Sequence, residues 1–258
     1  MVVIVIPARY QSQRFMGKPL AGLRGATGIS KSLIRRSWEA GCKVQGVARV
    51  IVATDDERIF EQAKGFGAEV MMTSAQAING TERCAEVAER FDDETLIVNL
   101  QGDAPLTPPE FVSAVINAMN GNEMTTPVLR CDAQALHRLR EDRRQGRVGG
   151  TTAVVTPSNR ALYFSKEVLP YADNLGKDDA VFQHVGLYAY RAETLRRYRA
   201  WPVGPLERIE GLEQLRFLEN GVDVRCVEVE AKDRVFWEVN NPVDVKRVEK
   251  ALAEMGVE

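Results

Sequence analysis

The chain has 258 residues, 45% of them apolar, enough for the core of one large α/β domain. A formal net charge of −2 leaves no overall positive field to neutralise a phosphate backbone, which excludes a general nucleic-acid binder. The four cysteines, Cys42, Cys84, Cys131 and Cys226, form no CxxC pair, so a zinc site or a disulfide framework is not expected and a reduced compartment is.

The first element is Val2-Val3-Ile4-Val5-Ile6, β-branched, without a polar residue and ended by Pro7. That pattern predicts a strand buried on both faces, as in a parallel sheet. The run has no basic segment ahead of it and is too short for a signal peptide or membrane span, so a soluble, cytoplasmic protein is expected. Open α/β sheets bind ligands at the loops leaving the carboxyl ends of their strands. The loop here carries Arg9, Arg14 and Lys18, whose guanidinium and ammonium groups suit a phosphate ligand; the competing reading is a solvated basic loop.

Residues 30–41 read as a helix, 49–54 as a second buried strand, and Asp55 as the cap of a helix carrying Ile59, Phe60 and Ala63. Gly65 and Gly67 stop that helix, and 68–72 is a third strand. Alternating strands and helices predict right-handed crossovers and a mostly parallel sheet. Asn79 opens a helix running to Arg90, 94–100 is a fourth strand, and Pro108-Pro109 starts a helix with Phe111, Val112 and Val115 on one face. A fifth strand is expected at 124–129.

Residues 131–150 are highly charged and predict an exposed helix and loop. Strands follow at 151–155 and 161–165, and 182–190 alternates strictly, as a half-exposed strand does. Residues 206–218 read as a helix with Leu206, Ile209, Leu212, Leu215 and Leu218 recurring every third position. An alternating strand at 222–229 and an amphipathic helix at 243–255 complete the chain. The expected organisation is one domain, 1–258, with a β-rich insertion at about 130–200.

Asp103 stands at the end of a buried strand between Gly102 and Pro105. Glycine permits close backbone approach, and a lone carboxylate there suits magnesium, which takes one or two carboxylates plus phosphate oxygens and water. The alternative is a structural turn aspartate. The first strand is followed by neither GxxxxGK[ST] nor GxGxxG, which disfavours a Walker-type NTPase and a dinucleotide oxidoreductase. His184 and Tyr188 share one face of the alternating strand. Glu210, Glu213 and Gln214 are helical neighbours, a pattern usually belonging to a solvated face.

The pieces IPARYQSQRFMGKPL, VATDDERI, NGTER, VNLQGDAPL, ALYFSK, HVGLYAY and PLERIEGLEQLRFLENG run nearly the whole length of the chain. In content and order the chain resembles the 3-deoxy-manno-octulosonate (Kdo) cytidylyltransferases, or CMP-Kdo synthetases. The resemblance implies a Rossmann-like mixed sheet flanked by helices, of the nucleotide-diphospho-sugar transferase type, with a smaller β-rich part serving a homodimer. It implies transfer of CMP from CTP to the anomeric hydroxyl of a 2-keto sugar acid, with magnesium present and pyrophosphate released. It implies catalytic roles for Arg9, Lys18 and Asp103, and CTP contacts from Pro7, Ala8, Arg9, Arg14, Lys18, Thr73, Gly80, Thr81 and Gln101. The sugar acid would meet Gln101, Lys166, His184, Tyr188, Glu213 and Gln214, and magnesium would meet Asp103 and the position of Asn240.

The chain departs from the resemblance at named positions. RLPGKP is replaced by Arg14-Phe15-Met16-Gly17-Lys18-Pro19, QGDEP has Ala104, VKVV has Ala153 in place of lysine, FSR ends in Lys166, and VDTP has Asn240 in place of aspartate. Lysine lacks the bidentate fork of arginine, and an amide oxygen brings no charge to a metal. An altered 2-keto acid as acceptor, or a weakened nucleotide-binding paralogue, are the alternatives these changes raise.

Overall fold

The structure, a computed structural model, describes residues 1–258 except 13, 149, 172–178, 232–237 and 240. β1 (Val2–Ala8) leads through a 3-10 turn at Lys18–Leu20 to a ribbon of β2 (Gly22–Arg24) and β3 (Ser30–Ser32). Then come α1 (Leu33–Cys42), β4 (Arg49–Thr54), α2 (Glu57–Gly65), β5 (Glu69–Met72), α3 (Gly80–Ala88), β6 (Leu96–Leu100) and α4 (Pro109–Asn117). The second half runs β7 (Met124–Arg130), α5 (Ala133–Arg144), β8 (Thr152–Val155), β9 (Ala161–Ser165), β10 (Phe182–His184) and β11 (Leu187–Arg191). It ends with α6 (Ala192–Ala200), α7 (Pro205–Glu210), α8 (Leu215–Glu219), β12 (Val224–Glu228) and α9 (Pro242–Glu254).

The main sheet has the order β5-β4-β1-β6-β11-β7-β10-β8-β9, with β12 also paired to β7. It is parallel across β5, β4, β1 and β6. β11 then enters antiparallel between β6 and β7. Period-two alternation sorts β1 between two cores, Val3 and Val5 on one face and Ile4 and Ile6 on the other. The 130–200 segment extends this same sheet through β8, β9 and β10. An isolated bridge between Arg160 and Arg225 brings the start of β9 back to β12.

Several expected boundaries move for local reasons. Residues 30–32 pair with β2, so the first helix begins only at Leu33. Asp56, not Asp55, caps α2, accepting from the Arg58 N–H at 3.0 Å. The charged segment forms α5, which is not wholly exposed: Leu136 and Leu139 pack with Val181 and Cys131.

Two corrections are larger. Residues 182–190 are not one half-exposed strand. They break at Val185-Gly186 into β10, which pairs with β7 and β8, and β11, which pairs with β6 and β7. Leu187 to Tyr190 are all buried, because the tyrosine hydroxyls find partners inside the protein. Residues 206–218 are not one helix. At 3.6 residues per turn, a spacing of three walks about 60° round the axis at each step, so the five apolar residues share no face. Gly211, at φ 60°, splits the segment into α7 and α8. Ile209 is 79% exposed, while Glu207, Gln214 and Arg216 are buried. No described helix is long and apolar enough to cross a membrane.

Candidate active site

The loop after β1 folds back on itself. Gly17 takes the left-handed conformation, at φ 69°, and its N–H donates to the Tyr10 carbonyl at 2.9 Å. Arg58 of α2 stacks on the Tyr10 ring, 3.3 Å from its centroid, and is held there by both carboxylate oxygens of Asp56. This clip places Lys18 so that its Nζ lies 2.6 Å from Asp103 Oδ2, joining two motifs 85 residues apart. Both side chains are half-buried. A Cβ on Gly102 would stand 2.7 Å from the Pro7 carbonyl, so glycine is what lets the Asp103 turn pack against the end of β1. Arg9 and Arg14 are exposed on the loop, and Ala8 is buried at the end of the strand.

On the β4–β5 side, Arg83 is 3% exposed and donates to the Thr73 hydroxyl, with Asp55 Oδ2 at 3.4 Å. Asn79 caps α3 by accepting from the Glu82 N–H at 2.8 Å. Gly80 packs closely against Pro7, Asn99 and Gln101. The Thr81 side chain is fully buried and turns to the Tyr190 hydroxyl at 3.1 Å, so it supports the Gly80 turn from beneath. Gln101 Nε2 donates to Asn99 Oδ1 at 3.4 Å. Asn99 Nδ2 is buried and has no hydrogen-bond partner among the described residues.

The third wall is a chain of rings. Phe164, His184, Tyr188, Tyr190, Phe217 and Tyr198 follow one another with centroids 4.5 to 5.8 Å apart. The Thr126 hydroxyl donates to the Leu187 carbonyl at 2.8 Å, so at 2.9 Å it accepts from His184 Nε2–H. That fixes the tautomer and leaves Nδ1 as an acceptor. Burial lowers the His184 pKa to about 3, so the ring is neutral at physiological pH. The Tyr188 hydroxyl donates to Gln214 Oε1 at 3.3 Å. Glu213 accepts from the Thr81 N–H at 3.2 Å; burial raises its pKa, and that N–H opposes the rise. Glu210 is not beside Glu213. Across the Gly211 break it accepts from the Ser165 hydroxyl at 2.7 Å and the Lys166 N–H at 2.9 Å.

Among the described residues no cluster of three or more His, Cys, Asp or Glu could hold a metal unaided. One carboxylate, Asp103, beside a cationic loop still fits magnesium carried in on phosphate oxygens. Asn240 lies outside the described residues. Asp244 is committed elsewhere, forming a capping box with Asn241 at the start of α9. The Val239 N–H donates to the Asp103 carbonyl at 2.9 Å, and the Glu238 carboxylate lies beside Gly186, which also adjoins Gln101. Sequence reasoning passed over Asn99, Arg83, Glu207 and Arg216. Each lies inside one of the quoted motifs, but Arg83, Glu207 and Arg216 are charged helical residues, which read as solvated until a buried partner is seen, and Asn99 sits within an otherwise apolar strand.

Residues 3–228 match the family described as Cytidylyltransferase. The chain belongs to the cytidylyltransferase family. Within this family it is 40% identical over 259 residues to the 3-deoxy-manno-octulosonate cytidylyltransferase of Maricaulis maris (strain MCS10), covering 99% of this chain and 98% of that one. It is 40% identical over 266 residues to the enzyme of the same name from Syntrophotalea carbinolica (strain DSM 2380 / NBRC 103641 / GraBd1), covering 97% and 98%. A solved structure of CMP:2-keto-3-deoxy-manno-octonic acid synthetase complexed with CTP superposes with a TM-score of 0.84 at 32% identity, covering 98% of this chain and 99% of that one. The cytidylyltransferase fold and the nucleotidyltransferase class expected from the motifs are therefore borne out.

Proposed function

We propose that the chain transfers CMP from CTP to the anomeric hydroxyl of 3-deoxy-manno-octulosonate. The anomeric oxygen forms a bond to the α-phosphorus of CTP, the bond from that phosphorus to the bridging β-phosphate oxygen breaks, and pyrophosphate leaves. The observation that carries this reading is the meeting of the Lys18 loop and Asp103 past the carboxyl ends of β1 and β6, in a chain whose full-length relatives bear that activity in their names. Those names favour Kdo over an altered acid as acceptor, and the ionisable groups at Lys18, Asp103, His184 and Glu213 argue for an active enzyme over a paralogue without chemistry.

Lys18, with Arg9 and Arg14 on the same loop, would bind the triphosphate and offset charge as the α-phosphate is attacked. Thr73 and Gly80 would border the base and ribose, and Gln101 the boundary between nucleotide and sugar acid. His184 Nδ1 and the Gln214 amide would orient the sugar hydroxyls, with Lys166 near the acid. Magnesium held by Asp103 would neutralise phosphate charge and align the triphosphate. Exposed Leu162, Tyr171 and Ile209 give apolar surface for a homodimer contact.

The test is pyrophosphate release from CTP, magnesium and Kdo, with other 2-keto sugar acids and UTP or ATP as comparisons. Release with CTP and Kdo alone is expected. Release with another acid but not Kdo overturns the acceptor assignment, and CTP binding without release overturns the enzymatic reading. Asn240→Asp should lower the magnesium concentration needed for half-maximal rate.

A further inference from the structure

Behind the acceptor wall lies a buried charged cluster that the chemistry above does not use. Arg216 of α8 is 1% exposed. Its Nε and Nη2 donate to the two carboxylate oxygens of Glu207 on α7, at 2.6 and 2.7 Å. Its Nη1 donates to Glu82 Oε1 on α3 at 3.0 Å, and its guanidinium lies 4.1 Å from the centroid of the Tyr198 ring. The other oxygen of Glu82 accepts from the Ile78 N–H at 2.9 Å. Glu82 is therefore held from both sides.

A buried ion cluster is weak evidence for stability, because well-packed apolar residues of the same volume often stabilise as much. Its distinctive property is geometric. The planar fork of arginine accepts carboxylates only in fixed directions, so it sets the orientation of the elements that carry them. Here those elements are α3, whose first residue Gly80 would border the nucleotide, and the α7–α8 elbow, which carries Glu213 and Gln214 between its two helices. The Thr81 N–H to Glu213 bond is a second link between the same two bodies.

We propose that Arg216 is a positioning residue that locks the acceptor-holding pair Glu213 and Gln214 to the Gly80-Thr81 turn through Glu82, so that CTP and the sugar acid bind with positive coupling. This rests on the proposed function, since it needs both ligands in the site. A nucleotide against Gly80 fixes the start of α3, the Arg216 cluster passes that order to the elbow, and the sugar acid then meets Glu213 and Gln214 already in place. The linkage is reciprocal, so the acid tightens the nucleotide by the same factor.

The experiment measures the dissociation constant of α,β-methylene CTP, which cannot release pyrophosphate, with and without saturating Kdo. The wild-type ratio should be about fivefold or more, the lower end of ordinary coupling. In Glu82→Gln the amide offers one oxygen to two N–H donors, so the α3 link weakens while the Arg216–Glu207 pair stays intact. Its ratio should fall below about twofold, with the affinity for the analogue alone little changed. Arg216→Lys keeps the charge, loses the fork, and should raise the KM for Kdo more than that for CTP. If Arg216→Lys does not fold, Glu82→Gln decides. A folded Glu82→Gln protein with the wild-type ratio overturns the proposal, as does a wild-type ratio of one in an enzyme that releases pyrophosphate. A wild type that releases none with Kdo overturns the proposed function and the coupling with it.

Discussion

Lys18 Nζ and Asp103 Oδ2 stand 2.6 Å apart, so the loop cation and the strand-end carboxylate occupy one another in the free protein. Under the proposed function CTP would draw Lys18 away, and magnesium would take its place at Asp103. In Asp103→Asn the lysine keeps its charge and loses its internal competitor. CTP binding in the presence of EDTA should tighten or hold, while pyrophosphate release should fall by about 10²–10³, the loss that follows removal of one preorganised group aimed at developing charge. Calorimetry and a pyrophosphate assay separate the two effects, and turnover within tenfold of wild type would rule out the metal role.

His184 makes folding pH-dependent. The unfolded chain takes up this proton near pH 6.5 and the folded protein only near pH 3. The stability from the neutral ring is therefore complete above pH 6.5 and is lost as pH falls towards 3, at about 1.4 kcal/mol per pH unit. Urea unfolding at pH 7 and pH 5 should differ by about 2 kcal/mol more in the wild type than in His184→Gln. Equal differences in the two proteins would place the proton elsewhere.

Two glycines should respond in opposite ways to the same substitution. A methyl group at Gly102 meets the Pro7 carbonyl at 2.7 Å, so backbone must move, and Gly102→Ala should cost about 1–3 kcal/mol and displace Asp103. Gly65 closes α2 with open space around it and no positive φ, so Gly65→Ala should add about 0.4–1 kcal/mol by restricting the unfolded chain. Thermal unfolding reads both, and a neutral Gly102→Ala would refute the close packing.

Glu210 pins β9 rather than facing solvent. It holds the Ser165 hydroxyl and the Lys166 N–H, while Lys166 Nζ lies 3.0 Å from where a Gly211 side chain would begin. Glu210→Ala removes both bonds, each contributing about 1 kcal/mol. The KM for the sugar acid should rise about tenfold, with the KM for CTP unchanged. Equal rises in both would mean a general loss of structure.

The sequence showed most where one physical signal acted alone. The apolar runs at Val3–Ile6 and Ile97–Leu100 read as buried strands because nothing in them competes with burial. It misled where polarity stood for exposure. Gln214, Arg216 and Glu207 are polar and buried because they satisfy one another or a tyrosine, and Ile209 is apolar and exposed because Gly211 ends its helix two residues later. The candidate site was legible in its types, cations after β1 and a carboxylate after β6. Its connections were not, since Lys18 to Asp103 and Thr81 to Glu213 span 85 and 132 residues.

Asn99 carries a consequence for discrimination. Its amide nitrogen is buried without a hydrogen-bond partner among the described residues, beside Gly80 and Gln101, which the proposed function puts at the boundary of the two substrates. A donor left this way costs about 1–3 kcal/mol until a ligand oxygen meets it. An analogue that fills the same space but lacks that oxygen leaves the cost in place. Shape alone separates close analogues weakly, whereas an orphan donor can reject a deoxygenated one by orders of magnitude. Under the proposed function Asn99 would thus act as a fidelity device, set in β6, an interior strand of the sheet.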